Sequence, residues 1–194
     1  MIALRAQPSA PPWRVAGIVA GLSAIVGLRY AITASGVADP LLTGTAFGAG
    51  LLTAAFAGGW RPARLHQSSI LVGLLGGGVL IGMAVASRSA WLPSMAPPVP
   101  FPTWAAVTVL VATGEEVLLR GALFDALEQI GGVAPAVVVT SATFALMHVP
   151  LYGWQVVPLD LGVGLWLAGL RLWSGGIAAP AIAHVAADLA TWWL

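Results

Sequence analysis

In His184-Val-Ala-Ala-Asp188 an imidazole and a carboxylate stand four residues apart, so a helix would present both on one face. Two further polar groupings accompany them: Glu115-Glu116-Val-Leu-Leu-Arg120 upstream, and Phe144-Ala-Leu-Met-His148 in between. All three lie in runs apolar enough to enter a bilayer. A charge at the bilayer centre costs about 2.5–3.5 kcal/mol on insertion scales, so titratable residues there mark a built pair or a functional site.

Glu116 and Arg120 are spaced i and i+4 with the acid nearer the N-terminus, the favourable order for a self-neutralising pair that locks its own helix. Glu115 points about 100° away around that helix. Arg120 therefore does not serve both carboxylates, and another helix must supply a partner for Glu115, which suits a general base. His148 follows Phe144 by one turn and Ser141 by two, and taken alone it reads as an ordinary hydrogen-bonded histidine. Asp125, Glu128 and Asp160 fall toward span ends and are expected to be solvated.

Two imidazoles with one or two carboxylates, from Glu115, His148, His184 and Asp188, suit a zinc ion that keeps one position open for water. The same groups also work with no metal, Glu115 and His148 polarising a water while His184 steadies an oxyanion. Either route hydrolyses an amide, and the residues leave the cofactor open between zinc and none. Other intramembrane chemistries lack their signatures, for there is no His-Glu-x-x-His, Gly-x-Ser-Gly or Gly-x-Gly-Asp.

The elements that must position these groups follow from composition. Hydrophobic residues make up 59% of the 194, charged residues only 8%, and the mean hydropathy is +0.93. No soluble domain has this balance. The net charge of +1 gives no reason to expect nucleic-acid binding, and the absence of cysteine excludes disulfides and a thiol nucleophile. The run from Trp13 to about Ala34 is too long for a secretory signal core and leads into more hydrophobic spans.

With roughly 20 residues needed per crossing, breaks at proline, glycine and charge divide the chain into about seven spans: 13–36, 41–59, 67–87, 103–128, 133–149, 155–173 and 176–194. Barrel strands are excluded by the long, unalternating apolar runs. The expected fold is an all-α, polytopic integral membrane helical bundle, with residues 1–12 a non-helical cytosolic tail and 13–194 a single transmembrane domain. Gly17/Gly21, Gly44/Gly48 and Gly73/Gly77 read as close-packing pairs, and Arg88 to Pro102 as a stiff interfacial loop. With the N-terminus inside, Arg5, Arg14, Arg61, Arg64 and Arg171 face the cytosol against Arg29 and Arg88 outside, which favours that orientation and places Leu194 outside.

Together the three groupings resemble the CPBP family, the CAAX-type prenyl-protein endopeptidases and bacteriocin-processing (Abi) enzymes. Glu115-Glu116-Val-Leu-Leu-Arg120 is similar to that family's Glu-Glu-x-x-x-Arg motif, Phe144 to His148 to its Phe-x-x-x-His, and His184 to Asp188 to its His-x-x-x-Asn/Asp, over about residues 103–194. The resemblance implies an intramembrane protease in which Glu115 and His148 activate water and His184 and Asp188 face the scissile carbonyl. Glu116 and Arg120 would support the helix, and Phe144 would belong to that structural shell. It also implies a membrane-associated protein or peptide as substrate. Asp188 departs from asparagine, whose amide donates to an oxyanion where an ionised aspartate does not. The rival class is a non-catalytic scaffold or a metal or proton carrier. A carrier needs polar residues along a whole path, and the first three spans are nearly devoid of them.

Overall fold

The computed structural model describes residues 11–36, 39–62, 66–91 and 99–194. They form α1 (Pro12–Ser35), α2 (Pro40–Ala57), α3 (Gln67–Trp91), α4 (Phe101–Glu116), a π-helical turn (Val117–Leu123), α5 (Phe124–Gly131), α6 (Val133–Tyr152), a 3-10 turn (Trp154–Val156), α7 (Val157–Ser174) and α8 (Ala178–Ala190). No strand occurs among the described residues. The chain is an all-helical integral membrane bundle, as its composition requires.

Helix limits follow local chemistry. Asp39 caps α2, its carboxylate accepting from the backbone N–H of Leu41 at 2.7 Å and Leu42 at 3.0 Å. Gly132, Gly153 and Gly175 adopt φ of 82°, 85° and 72°, the left-handed region open to glycine, and mark the ends of α5, α6 and α7. Two expected boundaries shift. Pro12 belongs to α1 rather than to the tail, because proline is tolerated at a first helical position whose N–H has no intrahelical acceptor. Pro150 does not end α6, which continues to Tyr152 until Gly153 turns the chain. Residues 1–10 of the tail and residues 92–98 of the expected interfacial loop lie outside the described residues, as do Arg5 and Arg64, while residues 88–91 of that loop belong instead to α3 and residues 101–102 to α4.

Among the described residues, five segments are long and apolar enough to cross a membrane: α1, α2, residues 67–86 of α3, α6, and residues 154–174 ending with α7. The other two expected spans differ for physical reasons. The fourth is a continuous rod of α4, π turn and α5 carrying Glu115, Glu116 and Arg120 in its middle. The last, α8, has 13 residues, about 20 Å of helix, less than a bilayer core of roughly 30 Å. α8 is sheltered by α3, where Gly73 and Gly77 lie against Ile182 and Ala186. At its end Trp192 and Trp193 meet Phe101 of α4, with ring centroids 5.2 and 5.1 Å apart.

The main core lies between α1, α2, the π turn and α6, with Leu51, Leu118, Leu119 and Leu123 fully buried. Large apolar side chains such as Leu71, Leu75 and Val138 face outward, as lipid contact requires. Gly44 and Gly48 bring α2 against Val107 and Leu110 of α4. The pairing expected of Gly17 and Gly21 is not made at Gly17, around which there is open space.

A side chain at Gly73 would meet Ile182 Cβ at 2.7 Å and the Ala179 carbonyl at 2.8 Å. Gly73→Val should destabilise the bundle by about 1–3 kcal/mol through overpacking, whereas Gly17→Val should leave the thermal midpoint in detergent nearly unchanged. Equal midpoints for the two variants would refute the α3–α8 contact.

Candidate active site

The rod of α4 and its π turn carries the first motif into the dry centre of the bundle. Glu116 and Arg120 are both fully buried and pair at 2.9 Å. Arg120 also donates to the Gly164 carbonyl of α7 at 3.1 Å, and its guanidinium lies 4.8 Å from the centre of the Phe144 ring of α6. One side chain thus ties the fourth rod to two other helices. The widened π turn surrounding Arg120 is a form that recurs at functional sites.

α8 closes the site. His184 is buried, and its Nδ1 lies 3.0 Å from Glu116 Oε1, the same oxygen that Arg120 holds. As the donor in that hydrogen bond, Nδ1 carries the proton and leaves Nε2 facing the other acids. Those are Glu115 Oε2 at 3.8 Å and Asp188 Oδ2 at 3.6 Å. Glu115 is only 3% exposed, while the Asp188 carboxyl is 42% exposed, so the cluster grades from a dry carboxylate to a wetter one. Three acids therefore surround one imidazole.

His148 stands to one side of this cluster. Its Nδ1 lies 2.8 Å from the Phe144 carbonyl and 3.4 Å from Asp160 Oδ2, which leaves Nε2 free. The Phe144 ring separates the imidazoles edge-to-face, 4.8 Å from His148 and 5.4 Å from His184. Phe144 therefore orients both histidines as well as covering Arg120.

Glu115, Glu116, Arg120, Phe144, His184 and Asp188 thus form one connected group, and His148 joins it through Phe144. One expectation of solvation needs correction. Asp160 is 19% exposed at its side chain and partners His148, because the start of α7 packs beside the end of α6. Asp125 stays partly solvated, 39% exposed at its side chain, and forms an ion pair with Arg171, which also lies over the Phe124 ring. Sequence spacing gave no sign of the Asp160 contact, since the two residues occupy different helices. The link from Glu116 to His184 was equally hidden, because Arg120 accounted for that carboxylate within its own helix.

As a zinc set the four donors are chemically suitable but not convergent. Among the described residues no three His, Asp or Glu side chains are placed to hold one ion. Ser141 Oγ is buried against Gly164 and makes no hydrogen bond, so it forms no dyad with His148.

Arg120→Ala would leave Glu116 charged, buried and without its cation. Loss of one partner from such a pair costs about 3–5 kcal/mol, so this variant should show low yield and a markedly lower thermal midpoint. A midpoint equal to that of the parent would show that Arg120 does not secure the bundle.

No curated protein and no solved structure matches this chain. Residues 97–190, from just before α4 to the end of α8, match the model of a family described as type II CAAX prenyl endopeptidase Rce1-like. That region contains every member of the connected cluster, and the match bears out the resemblance of the three motifs to the CAAX-type endopeptidase family.

Proposed function

We propose that this chain is an intramembrane endopeptidase that hydrolyses a peptide bond of a membrane-associated protein or peptide, using water activated by Glu115 and His148. The observation that carries this reading is the division of labour between adjacent acids. Glu116 takes Arg120 and holds His184, while Glu115, equally dry, keeps no cation of its own in hydrogen-bond contact. A buried carboxylate spared from structural pairing is available as a base.

In the proposed cycle a water between Glu115 and His148 Nε2 gives its proton to Glu115 as its oxygen bonds to the scissile carbonyl carbon. His184, fixed by Glu116 and flanked by Asp188, presents Nε2 to the developing oxyanion and stabilises it when that nitrogen carries a proton. The C–N bond then breaks as Glu115 returns the proton to the leaving nitrogen. Asp160 orients His148 through Nδ1, and Phe144 keeps the two rings apart. Asp188 acts through its charge beside His184, a role that does not need the amide donor of asparagine.

Arg14 donates to the Gly58 carbonyl at 2.6 Å, and Arg61 follows α2 at the same end of the bundle. Arg171 near the end of α7 joins them there through Asp125, while Arg29 lies toward the opposite end of α1. This grouping supports an N-terminus on the cytosolic side. His148 and Tyr152 near the end of α6 then open toward the extracytoplasmic face.

Glu115→Gln, His148→Ala and His184→Ala should each lower cleavage of a membrane substrate by about a hundredfold or more and still purify as folded protein. Comparative proteomics of membranes bearing the parent or Glu115→Gln would identify that substrate, and undiminished cleavage by Glu115→Gln would sink the mechanism. A reporter inserted between Arg61 and Arg64 should read as cytosolic and one fused after Leu194 as external. The reverse pattern would invert the orientation and leave the chemistry standing.

A further inference from the structure

The end of the bundle where α5 and α7 finish carries charges that the cluster around His184 does not use. Glu128 lies one turn beyond Phe124 on α5, is exposed, and forms no ion pair among the described residues. It adds its charge to that of Asp125 on the same helix. Arg171 faces them from the last turn of α7, 4.5 Å from the centre of the Phe124 ring and paired with Asp125 through Nη2. Among the described residues the rest of that guanidinium donates to no protein atom.

Glu128 and Arg171 line one cavity of about 230 Å³, whose wall Phe124, Leu172 and Gly175 complete. Two helices end there, so the negative ends of their dipoles add to the carboxylates. A lone anion drawn to Arg171 would meet Asp125 and Glu128, and a lone cation drawn to Glu128 would meet Arg171. A molecule carrying a phosphate and an ammonium a few bonds apart satisfies both sides. The planar fork of arginine suits phosphate, and a carboxylate accepts the N–H groups of a primary ammonium. The surface beside the cavity suits a lipid as the bearer of those charges. Leu172 and Trp173 are 46% and 77% exposed, an apolar edge for acyl chains with an indole at the level where headgroups begin.

We propose that this cavity binds the headgroup of a phosphatidylethanolamine-type lipid, its phosphate on Arg171 and its primary ammonium on Glu128. The 18 residues of α7, about 27 Å of helix, separate it from His148 and Asp160, so it is distinct from the hydrolytic cluster and independent of what that cluster cleaves. Bound there, the headgroup bridges α5 to α7 beside the Asp125–Arg171 pair and braces the end of the bundle from which α8 departs. A free phosphorylated amine has the same two charges. The apolar edge at Leu172 and Trp173 favours the lipid.

Lipid binding to the full chain tests this. The protein purified in detergent would be titrated with dioleoyl phosphatidylethanolamine, phosphatidylcholine and phosphatidylglycerol, and the first bound lipid measured by native mass spectrometry. Phosphatidylethanolamine should bind roughly tenfold tighter than either of the others, which corresponds to about 1.4 kcal/mol. Glu128→Gln, a change at an exposed position, should bring phosphatidylethanolamine down to the level of phosphatidylcholine, and Glu128→Lys should turn the preference toward phosphatidylglycerol. Arg171→Gln combined with Asp125→Asn removes the ion pair without stranding a charge and should weaken all three lipids. Equal binding of the three lipids by the parent, an ethanolamine preference that survives Glu128→Gln, or unchanged binding in the double variant would overturn the proposal. Soluble O-phosphoethanolamine at millimolar concentration should not displace the lipid. Displacement would assign the cavity to a free zwitterion and overturn the lipid site equally.

Discussion

One carboxylate oxygen, Glu116 Oε1, holds Arg120 at 2.9 Å and His184 at 3.0 Å, and the buried charges at the centre of the bundle are arranged around it. Nothing in the dry centre of a bundle replaces these contacts with water, so a cation and an imidazole that share one acceptor are fixed relative to each other. Because Arg120 also reaches Gly164 and lies against Phe144, the same oxygen sets α8, α7 and α6 against the fourth rod. Packing in this chain is largely apolar and undirected, with small residues allowing close approach. Direction comes from this buried charge junction.

The adjacent acids show how two identical side chains acquire different chemistry. Glu116 is engaged twice on one oxygen, by Arg120 and by His184. Glu115 is turned away around the helix and meets only His184, at 3.8 Å, so it stays outside that structural pairing. The π turn begins immediately after them. It carries Arg120, which pairs with Glu116 at i, i+4, while Glu115 lies around the helix from that pair. Replacement of the pair by apolar residues could preserve packing, yet it would remove the acceptor that orients His184.

Much of this was legible in the chain because membrane helices expose their pattern in composition. Long apolar runs, Asp39-Pro40, Gly131-Gly132 and Gly175-Gly176 mark helices and breaks with little competition from other signals. The i, i+4 spacing of Glu116 with Arg120 and of His184 with Asp188 also revealed contacts within single helices, which form at 2.9 and 3.6 Å. Contacts between helices were not legible in the same way. His148 with Asp160, Glu116 with His184, and Arg29 over Phe47 depend on helix rotation and pairing, which apolar periodicity does not specify when every face is apolar. The shortness of α8 was hidden for a related reason, since its apolar run continues through the tryptophans that end the chain.

The aromatic side chains extend the charge junction into a path. Phe144 touches Arg120, His184 and His148, and His148 in turn stacks on Tyr152 at the end of α6. A phenyl ring such as that of Phe144 suits this task in a bilayer because it keeps polar groups at fixed separation and adds no further buried donor that would need satisfying. A change in the Phe144 rotamer would therefore move both histidines together, whereas a change at Tyr152 would reach His148 and leave His184 in place. Phe144 thus stands between a dry group, Glu116, Arg120 and His184, and a partly exposed one, His148 and Asp160, so the polar cluster is wetter toward the end of α6.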